Sequence, residues 1–180
     1  MIAIINYNAG NTASVANALD RLGQRYKITG DLEEIARADK IIFPGVGAAG
    51  PAMETLKKRG IDRVLRKTKT PVLGICLGLQ LLAEFSEEGD TPCLGIIPGR
   101  VRRFGDDLKV PQIGWNRVGK DYFYFIHSYY LPVGPFTIAT TEYGVPFSAI
   151  VRKNNFLAAQ FHPEKSGEAG LKFLSNFCSC

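Results

Sequence analysis

A single cysteine lies between two glycines near the middle of the chain, in a setting typical of a nucleophile. Cys76 is the central residue of GICLG (residues 74–78), which follows the apolar run PVL and precedes LQLL. This pattern predicts a strand, a sharp turn and a helix, and small neighbours allow such a turn to present one side chain at the top of a sheet. At a helix N-terminus, unpaired N–H groups and the helix dipole favour thiolate over thiol. Cys76 is therefore a candidate nucleophile, although a buried structural cysteine fits these five residues equally well.

A cysteine nucleophile needs a base and a group that orients the base. The chain has two histidines, and His162 lies in QFHPEKS (residues 160–166), directly after an apolar, strand-like run. Glu164 follows across a proline that stiffens the turn, so its carboxylate could accept a hydrogen bond from the imidazole and fix the tautomer. Taken singly, a turn histidine and a solvated carboxylate are the ordinary interpretations. Together with Cys76, the two residues predict a Cys-His-Glu triad.

The oxyanion that forms when a thiolate attacks a carbonyl needs N–H donors. PGVG (residues 44–47) follows the predicted third strand and offers a glycine-rich backbone. The N–H of the residue after the nucleophile is a second donor in nucleophile elbows. We therefore predict an oxyanion site at Val46, Gly47 and Leu77, with a simple strand-to-loop turn as the alternative for PGVG.

Length and composition favour one domain, residues 1–180, because 180 residues with 46% hydrophobic and 22% charged content are ordinary for a globular protein. The N-terminus lacks a signal-peptide pattern and no apolar run reaches membrane-spanning length, so we expect a cytoplasmic protein without membrane contact. We expect free thiols at all four cysteines, which are Cys76, Cys93, Cys178 and Cys180. Cys178 and Cys180 lack the second half of a zinc site, so we expect neither metal nor cofactor.

The net charge of +5 comes from 22 Lys and Arg residues that are spread along the chain. Nucleic-acid sites are typically denser and interleaved with aromatic residues. We therefore expect no nucleic-acid partner, and a modest positive excess suits an acidic protein partner.

The order of the predicted elements favours an α/β fold. Short β-branched runs at residues 2–5, 25–28, 40–43 and 71–75 alternate with helical patterns, which predicts a mainly parallel open sheet with flanking helices. One helix begins after Asn11 and another follows Cys76, with Gly78, Leu81, Leu82 and Phe85 on one stripe. Residues 93–161 are richer in aromatic residues and turn formers, which predicts an additional antiparallel β-section before a last helix near Gly167.

The segments PGVG, GICLGLQLL and QFHPEKS, in this order, resemble the triad-type (class I) glutamine amidotransferases over essentially the whole chain. Within that family, Asn11, the pair Ser14 and Val15, GWN (residues 114–116) and FIHSYY (residues 125–130) most resemble glutaminases of histidine biosynthesis that serve a separate cyclase. The resemblance implies a flavodoxin-like sheet.

The same resemblance implies roles for the site residues, with L-glutamine as substrate. Cys76 would attack the side-chain amide, and water would hydrolyse the resulting thioester. His162 would transfer a proton to the departing ammonia while Glu164 orients the imidazole. The residues implied for binding glutamine are Gly47, Gln80, Glu88, His127 and Ser128. Glu84 and Glu87 compete with Glu88 for the amino group.

Ammonia must reach its acceptor unprotonated, because ammonium has no lone pair, so a dry path into a partner is expected. The resemblance implies a heterodimer with a (β/α)8-barrel cyclase. It places Trp115, Asn116, Tyr124 and Lys165 toward that partner, and residues 8–11 near it, although Tyr124 also fits a core position. Gln112 replaces a histidine found in many family members, which leaves the coupling to the cyclase open.

Two other functions remain open at this stage. One is a glutaminase for another acceptor, as in anthranilate, guanylate or pyridoxal phosphate synthesis. The valine of PGVG and the GWN and HSYY segments disfavour it. The other is a catalytically silent subunit that only binds a partner, which the intact Cys76, His162 and Glu164 disfavour.

Overall fold

The structure is a computed structural model that describes residues 1–8 and 10–179. Two residues named in the sequence analysis lie outside the described residues. They are Cys180, for which a free thiol is expected, and Ala9, in the loop after the first strand. In chain order the elements are β1 (Ile2–Ile5), α1 (Thr12–Arg21), β2 (Tyr26–Thr29), α2 (Leu32–Arg37), β3 (Lys40–Gly45), α3 (Ala49–Lys58), α4 (Ile61–Lys67), β4 (Val72–Cys76), α5 (Leu77–Leu82), β5 (Phe85–Ser86), β6 (Thr91–Pro92), β7 (Arg100–Arg103), β8 (Gln112–Val118), β9 (Asp121–His127), β10 (Tyr129–Tyr130), β11 (Thr137–Tyr143), β12 (Val145–Lys153), β13 (Phe156–Ala159) and α6 (Gly167–Ser179). Short 3-10 turns occur at Glu88–Asp90 and Pro163–Lys165.

The centre of the fold is a seven-stranded sheet with the strand order β11-β12-β13-β4-β3-β1-β2. Strands β2, β1, β3, β4 and β13 are parallel, and β12 and β11 extend the sheet antiparallel. Strands β1 and β4 are buried along their whole length, as expected for parallel strands covered on both faces. The structure thus confirms the predicted α/β class, the mainly parallel sheet and the antiparallel section.

Helices cover both faces of this sheet. Helices α1 and α6 pack on one face through Val15, Leu19, Leu174 and Phe177. The other face is covered by α2 to α5, with Ile35, Leu56 and Leu65 among the buried contacts. The thiols of Cys76, Cys93 and Cys178 are free. Within residues 1–8 and 10–179, every helix is too short or too polar to cross a bilayer.

The predicted bounds of four elements need correction. The second and fourth strands are displaced by one residue, to Tyr26–Thr29 and Val72–Cys76, and the third strand continues to Gly45. The helix after Cys76 ends at Leu82 because Ala83 adopts an extended backbone, so Phe85 lies in β5 and is not part of a helical stripe. All six residues of α5 are buried. A helix enclosed on all sides has no solvent face, so hydrophobic spacing does not reveal where it ends.

Two smaller sheets stand beside the main one. The first has the strand order β10-β7-β5-β6, and the second is the antiparallel hairpin β8–β9. An aromatic cluster joins the hairpin to the main sheet, with Phe123 stacked on Phe161 and Phe125 in edge contact with Phe147. The carboxyl ends of β3, β4 and β13 lie at the same edge of the main sheet, which is where open α/β sheets bind ligands.

Candidate active site

Cys76 forms a strained turn between β4 and α5. Its backbone has φ +52° and ψ −108°, a conformation that is costly for a residue with a side chain. Neighbouring glycines make the turn possible: a Cβ at Gly78 would overlap the carbonyl oxygen of Phe43, and one at Gly45 would lie 2.8 Å from the Cβ of Leu77. The predicted strand, turn and helix are therefore present, and the end of β3 packs directly against the turn.

His162 and Glu164 form a buried pair beyond the end of β13. The Nδ1 atom of His162 lies 2.8 Å from Oε1 of Glu164. The backbone N–H of His162 donates to the carbonyl of Tyr124 at 2.9 Å, and the Ser166 hydroxyl donates to the His162 carbonyl at 2.6 Å. These backbone contacts hold the turn, so the imidazole has one fixed orientation.

The electrostatic surroundings favour a protonated His162. Burial by itself lowers the pKa of this imidazole, but the Cys76 sulfur and the Glu164 carboxylate together outweigh burial and raise the pKa to about 10. Within the described part of the chain, Nε2 of His162 is buried and makes no hydrogen bond. His162 is thus a proton donor at neutral pH, with Nε2 free for a reacting group.

Cys76 and His162 line one cavity of about 320 Å³ at this edge of the sheet. The predicted oxyanion residues Val46, Gly47 and Leu77 line it, and so do the predicted binding residues Gln80, Glu88, His127 and Ser128. Glu164 lies behind His162. Pro111, Ile126 and Tyr129 also line the cavity, although the sequence analysis assigned them no role in the site. Among residues 1–8 and 10–179, no three His, Cys, Asp or Glu side chains are grouped as metal ligands would be.

Only one of the three competing carboxylates faces this cavity. Glu88 lines it, and its Oε2 accepts a hydrogen bond from the N–H of Ala49, at the start of α3, at 2.8 Å. The carboxylates of Glu84 and Glu87 instead accept N–H groups of Gly99 and Arg103, at 3.0 and 2.9 Å. The geometry therefore favours Glu88 for contact with a bound ligand.

A backbone carbonyl next to the cavity organises two side chains. The Tyr129 carbonyl lies 2.7 Å from Nδ1 of His127 and 2.7 Å from Nε2 of Gln80. A carbonyl can only accept, so both nitrogens carry the hydrogen. Burial, with a smaller contribution from the charge of His162, lowers the pKa of His127 to about 4, despite the opposing effect of its bond to Tyr129. His127 is therefore neutral at physiological pH, unlike His162.

Comparison with known proteins identifies the family to which this site belongs. Residues 3–179 match the family Glutamine amidotransferase class-I. The chain belongs to the class-I glutamine amidotransferase family. The Cys-His-Glu arrangement lies within the matched region, and the resemblance inferred from the three sequence segments is confirmed.

Comparison with individual members of the family shows which kind of glutamine amidotransferase this chain resembles. This amidotransferase is 50% identical, over 191 aligned positions covering 98% of this chain and 97% of the relative, to imidazole glycerol phosphate synthase subunit HisH of Bacteroides fragilis strain YCH46. It is 46% identical over 190 positions, covering 98% and 96%, to the subunit of the same name from Pasteurella multocida strain Pm70. A crystal structure of a glutamine amidotransferase shares the fold, with a TM-score of 0.78, 21% identity and full coverage of both chains. The protein is thus a glutamine amidotransferase enzyme and a homologue of HisH subunits.

The β8–β9 hairpin of this amidotransferase presents a largely apolar surface beside the cavity. Its outward side chains form three cross-strand pairs, Ile113 with Ile126, Trp115 with Tyr124 and Arg117 with Tyr122, which we call the hairpin face. Trp115 is 58% exposed. Such an exposed apolar patch is typical of an interaction site.

The other predicted partner residues occupy different positions. Lys165 is exposed at the edge of the cavity. Asn116 lies on the opposite side of β8 from Trp115, and its Nδ2 donates to the Glu142 carbonyl at 2.8 Å. In the loop after β1, the Asn11 side chain accepts the N–H of Ser14 at 3.1 Å and so caps α1. Contact of these residues with a partner remains a prediction, and the structure supports it best for Trp115, Tyr124 and Lys165.

Proposed function

We propose that this enzyme is the glutaminase subunit of imidazole glycerol phosphate synthase, and that it hydrolyses L-glutamine at Cys76 and passes the ammonia to a cyclase subunit in histidine biosynthesis. The observation that carries the proposal is the junction of the strained Cys76 turn with the buried His162–Glu164 pair at one cavity. The HisH relatives, at up to 50% identity over nearly the whole chain, support the choice of this synthase over other acceptors.

The first half of the reaction forms a thioester. The Cys76 sulfur attacks the side-chain amide carbon of glutamine, and the carbonyl oxygen becomes an oxyanion. When the tetrahedral intermediate breaks down, the C–N bond breaks and protonated His162 gives its Nε2 proton to the leaving nitrogen, which departs as ammonia. Glu164 holds the imidazole in the orientation and tautomer that this transfer requires.

The second half of the reaction restores the enzyme. His162 accepts a proton from a water molecule, the water oxygen attacks the thioester carbon, and the C–S bond breaks. Glutamate leaves and the electron pair of the broken bond returns to sulfur. In both halves the oxyanion lies near the N–H of Leu77, whose place at the start of α5 leaves it without an intrahelical partner, and near the backbone of Val46 and Gly47.

The cavity is suited to the amino-acid end of glutamine. Glu88 supplies a carboxylate for the α-ammonium group, and the backbone of His127 and Ser128 supplies polar groups for the rest. A cavity of about 320 Å³ has room for a ligand of this size.

Delivery of ammonia requires that the cavity be sealed by a partner. We propose that a (β/α)8-barrel cyclase covers the hairpin face together with Lys165. Trp115 and Tyr124 are suited to bind a partner, because their rings are in edge contact, with centroids 6.1 Å apart, and together provide a rigid anchor. Val46, 40% exposed at the cavity, places the oxyanion loop beside the same surface.

A glutamate-release assay tests the proposal. The full chain is assayed alone, with the cyclase subunit, and with the cyclase and its nucleotide substrate. We expect the complex with acceptor to hydrolyse glutamine and the Cys76→Ala complex to lack activity while the cyclase still binds.

Cys93→Ala is the matched control for the loss of a thiol. Cys93 is also buried, but burial raises its pKa to about 11 and it lies outside the cavity, so we expect full activity from this variant. Glutamate release by the Cys76→Ala complex at the wild-type rate would overturn the proposal, and so would a wild-type complex that releases none.

A further inference from the structure

Gln160 is a buried polar residue that the mechanism above does not use. It lies between β13 and His162, and its side chain is fully buried. Its Nε2 atom is 3.7 Å from the Sγ atom of Cys76, within the range of a hydrogen bond to sulfur. The amide therefore contacts the atom that carries out the attack on the substrate.

The orientation of the Gln160 amide follows from its neighbours. The Tyr129 carbonyl can only accept, so the atom of Gln80 that lies 2.7 Å from it must be the NH₂ group. The same NH₂ group lies 3.2 Å from Oε1 of Gln160 and donates to it. With its oxygen held by Gln80, the amide of Gln160 directs its own NH₂ group at the sulfur.

We propose that Gln160 is a further catalytic residue of the glutaminase reaction, which donates a hydrogen bond to the Cys76 sulfur and stabilises the thiolate. Gln80 is then a positioning residue, because it acts through the Gln160 amide. The proposal relies on the proposed function for the identity of the reaction, whereas the contact with sulfur is independent of substrate and partner.

The effect of this contact depends on the charge of the sulfur. A hydrogen bond to a charged acceptor is stronger than one to a neutral acceptor, so the amide favours thiolate over thiol. The Ile126 carbonyl, also 3.7 Å from the sulfur, can bond only to the thiol hydrogen and favours the opposite state. Gln160 therefore offsets the preference that Ile126 imposes.

The contact assists the step that releases glutamate. Sulfur is neutral in the thioester and regains its electron pair when the C–S bond breaks. A donor fixed at 3.7 Å in a water-excluded position stabilises this leaving group as its charge develops. Loss of the donor should therefore slow both the attack on glutamine and the hydrolysis of the thioester.

The test measures how the reactivity of Cys76 depends on pH in the full chain. The rate of alkylation by iodoacetamide is followed from about pH 5 to 10 by the mass of the Cys76 peptide, since the thiolate is the reacting form. In Gln160→Met, which keeps the length of the side chain but removes the donor, we expect the midpoint of the profile to rise by about one pH unit. The rate below the midpoint should fall about tenfold.

Two further variants complete the test. Gln112→Met is the matched control. Gln112 is a buried glutamine that follows Pro111 of the cavity lining and makes no hydrogen bond to Cys76, so the midpoint of this variant should equal that of wild type. Gln80→Leu, which frees the Gln160 amide, should shift the midpoint in the same direction as Gln160→Met by a smaller amount. Near-UV circular dichroism confirms that each variant is folded.

The proposal is overturned if folded Gln160→Met reacts with the wild-type profile. Should Gln160→Met not fold, Gln160→Glu keeps the acceptor for Gln80 and replaces the donor by a carboxylate, and an unchanged midpoint there overturns the proposal equally. Alkylation needs neither glutamine nor cyclase, so the result does not depend on whether the glutaminase assay succeeds.

Discussion

The imidazole of His162 lies 2.8 Å from the carboxylate of Glu164, and both side chains are 2% exposed. Removed from solvent, the two groups interact more strongly than a surface pair would. Together with the Cys76 sulfur, the carboxylate keeps the pKa of His162 well above its ordinary value in spite of burial. The pair therefore supplies the proton that glutamine hydrolysis needs at neutral pH.

Glu164→Gln should lower both the pKa of His162 and the turnover number. The neutral amide removes one of the charges that hold the proton, so the His162 signal in an NMR titration should move from about 10 toward the ordinary value near 6.5. We expect kcat of the complex to fall by about 10²- to 10⁴-fold. With only two histidines in the chain, His127 serves as the internal reference. An unshifted His162 resonance would contradict this account of the pair.

The same pair predicts how stability depends on alkaline pH. The folded-state pKa of His162 lies above the unfolded value of about 6.5. Its contribution to the free energy of unfolding is therefore complete below about pH 6.5 and is lost as the pH rises toward about 10. The free energy of unfolding, measured with urea between about pH 7 and 10, should decline less with pH in Glu164→Gln than in wild type. An equal decline in the two proteins would contradict this prediction.

The lowered pKa of His127 predicts that stability falls in acid. Its pKa is lowered to about 4, so the unfolded chain takes up a proton near pH 6.5 that the folded chain refuses until about pH 4. Stability should therefore fall as the pH drops through this window, by on the order of 3 kcal/mol from this residue. His127→Phe fits the surrounding rings of Phe104 and Phe147 and removes the titration. The unfolding free energy of this variant should fall less than that of wild type, and parallel pH curves would contradict the prediction.

The parts of the site that could be predicted from the sequence are those carried by short, continuous segments. Cys76 has its glycines beside it, and His162 and Glu164 are two residues apart across a proline, so local rules were sufficient. The bonds of Gln80 to Tyr129 and Gln160 join positions 49 and 80 residues apart, and one of them ends on a backbone carbonyl that has no side-chain signal. No local pattern could indicate this network.

Two further features have simple physical causes, namely the residue at which α5 ends, which the sequence did not predict, and the orientation of Asn116. The end of α5 could not be found because the helix is buried on every side. The position of Asn116 was predictable, since adjacent residues of a strand face opposite sides and Trp115 faces outward. The amide of Asn116 therefore donates to the Glu142 carbonyl, and Asn116 is not part of the hairpin face.

Gly78→Ala tests the packing that forms the Cys76 turn. A Cβ at Gly78 would overlap the Phe43 carbonyl, which is backbone and cannot move aside, so we expect a loss of about 3 kcal/mol or more of unfolding free energy. Gly50→Ala in α3 is the control, because its Cβ would lie 3.5 Å from the nearest atom, the hydroxyl oxygen of Thr91. That variant should be unchanged or up to about 1 kcal/mol more stable. Equal stability of the two variants, measured by urea unfolding, would refute the packing.

Trp115→Ala tests the hairpin face as the docking surface. Truncation of a central aromatic anchor typically costs at least about 2 kcal/mol, so the Kd for the cyclase should rise about 30-fold or more in calorimetric titration. Ile138→Ala is the matched control. Ile138 is 56% exposed and lines a separate cavity with Pro71, Asn154 and Asn155, which contains no residue of the hairpin face, so the Kd of this variant should stay within about twofold of wild type. Equal affinity of Trp115→Ala and wild type would exclude the hairpin face.

The acylation of Cys76 by substrate tests the central claim most directly. The complex with cyclase and acceptor is mixed with L-glutamine and quenched in acid during steady turnover. The protein is then digested, and the peptide masses are measured by mass spectrometry. We predict one γ-glutamyl group on the peptide that contains Cys76, and none in the Cys76→Ala complex. Turnover of glutamine with the acyl group on another residue, or at the wild-type rate in Cys76→Ala, would contradict the account.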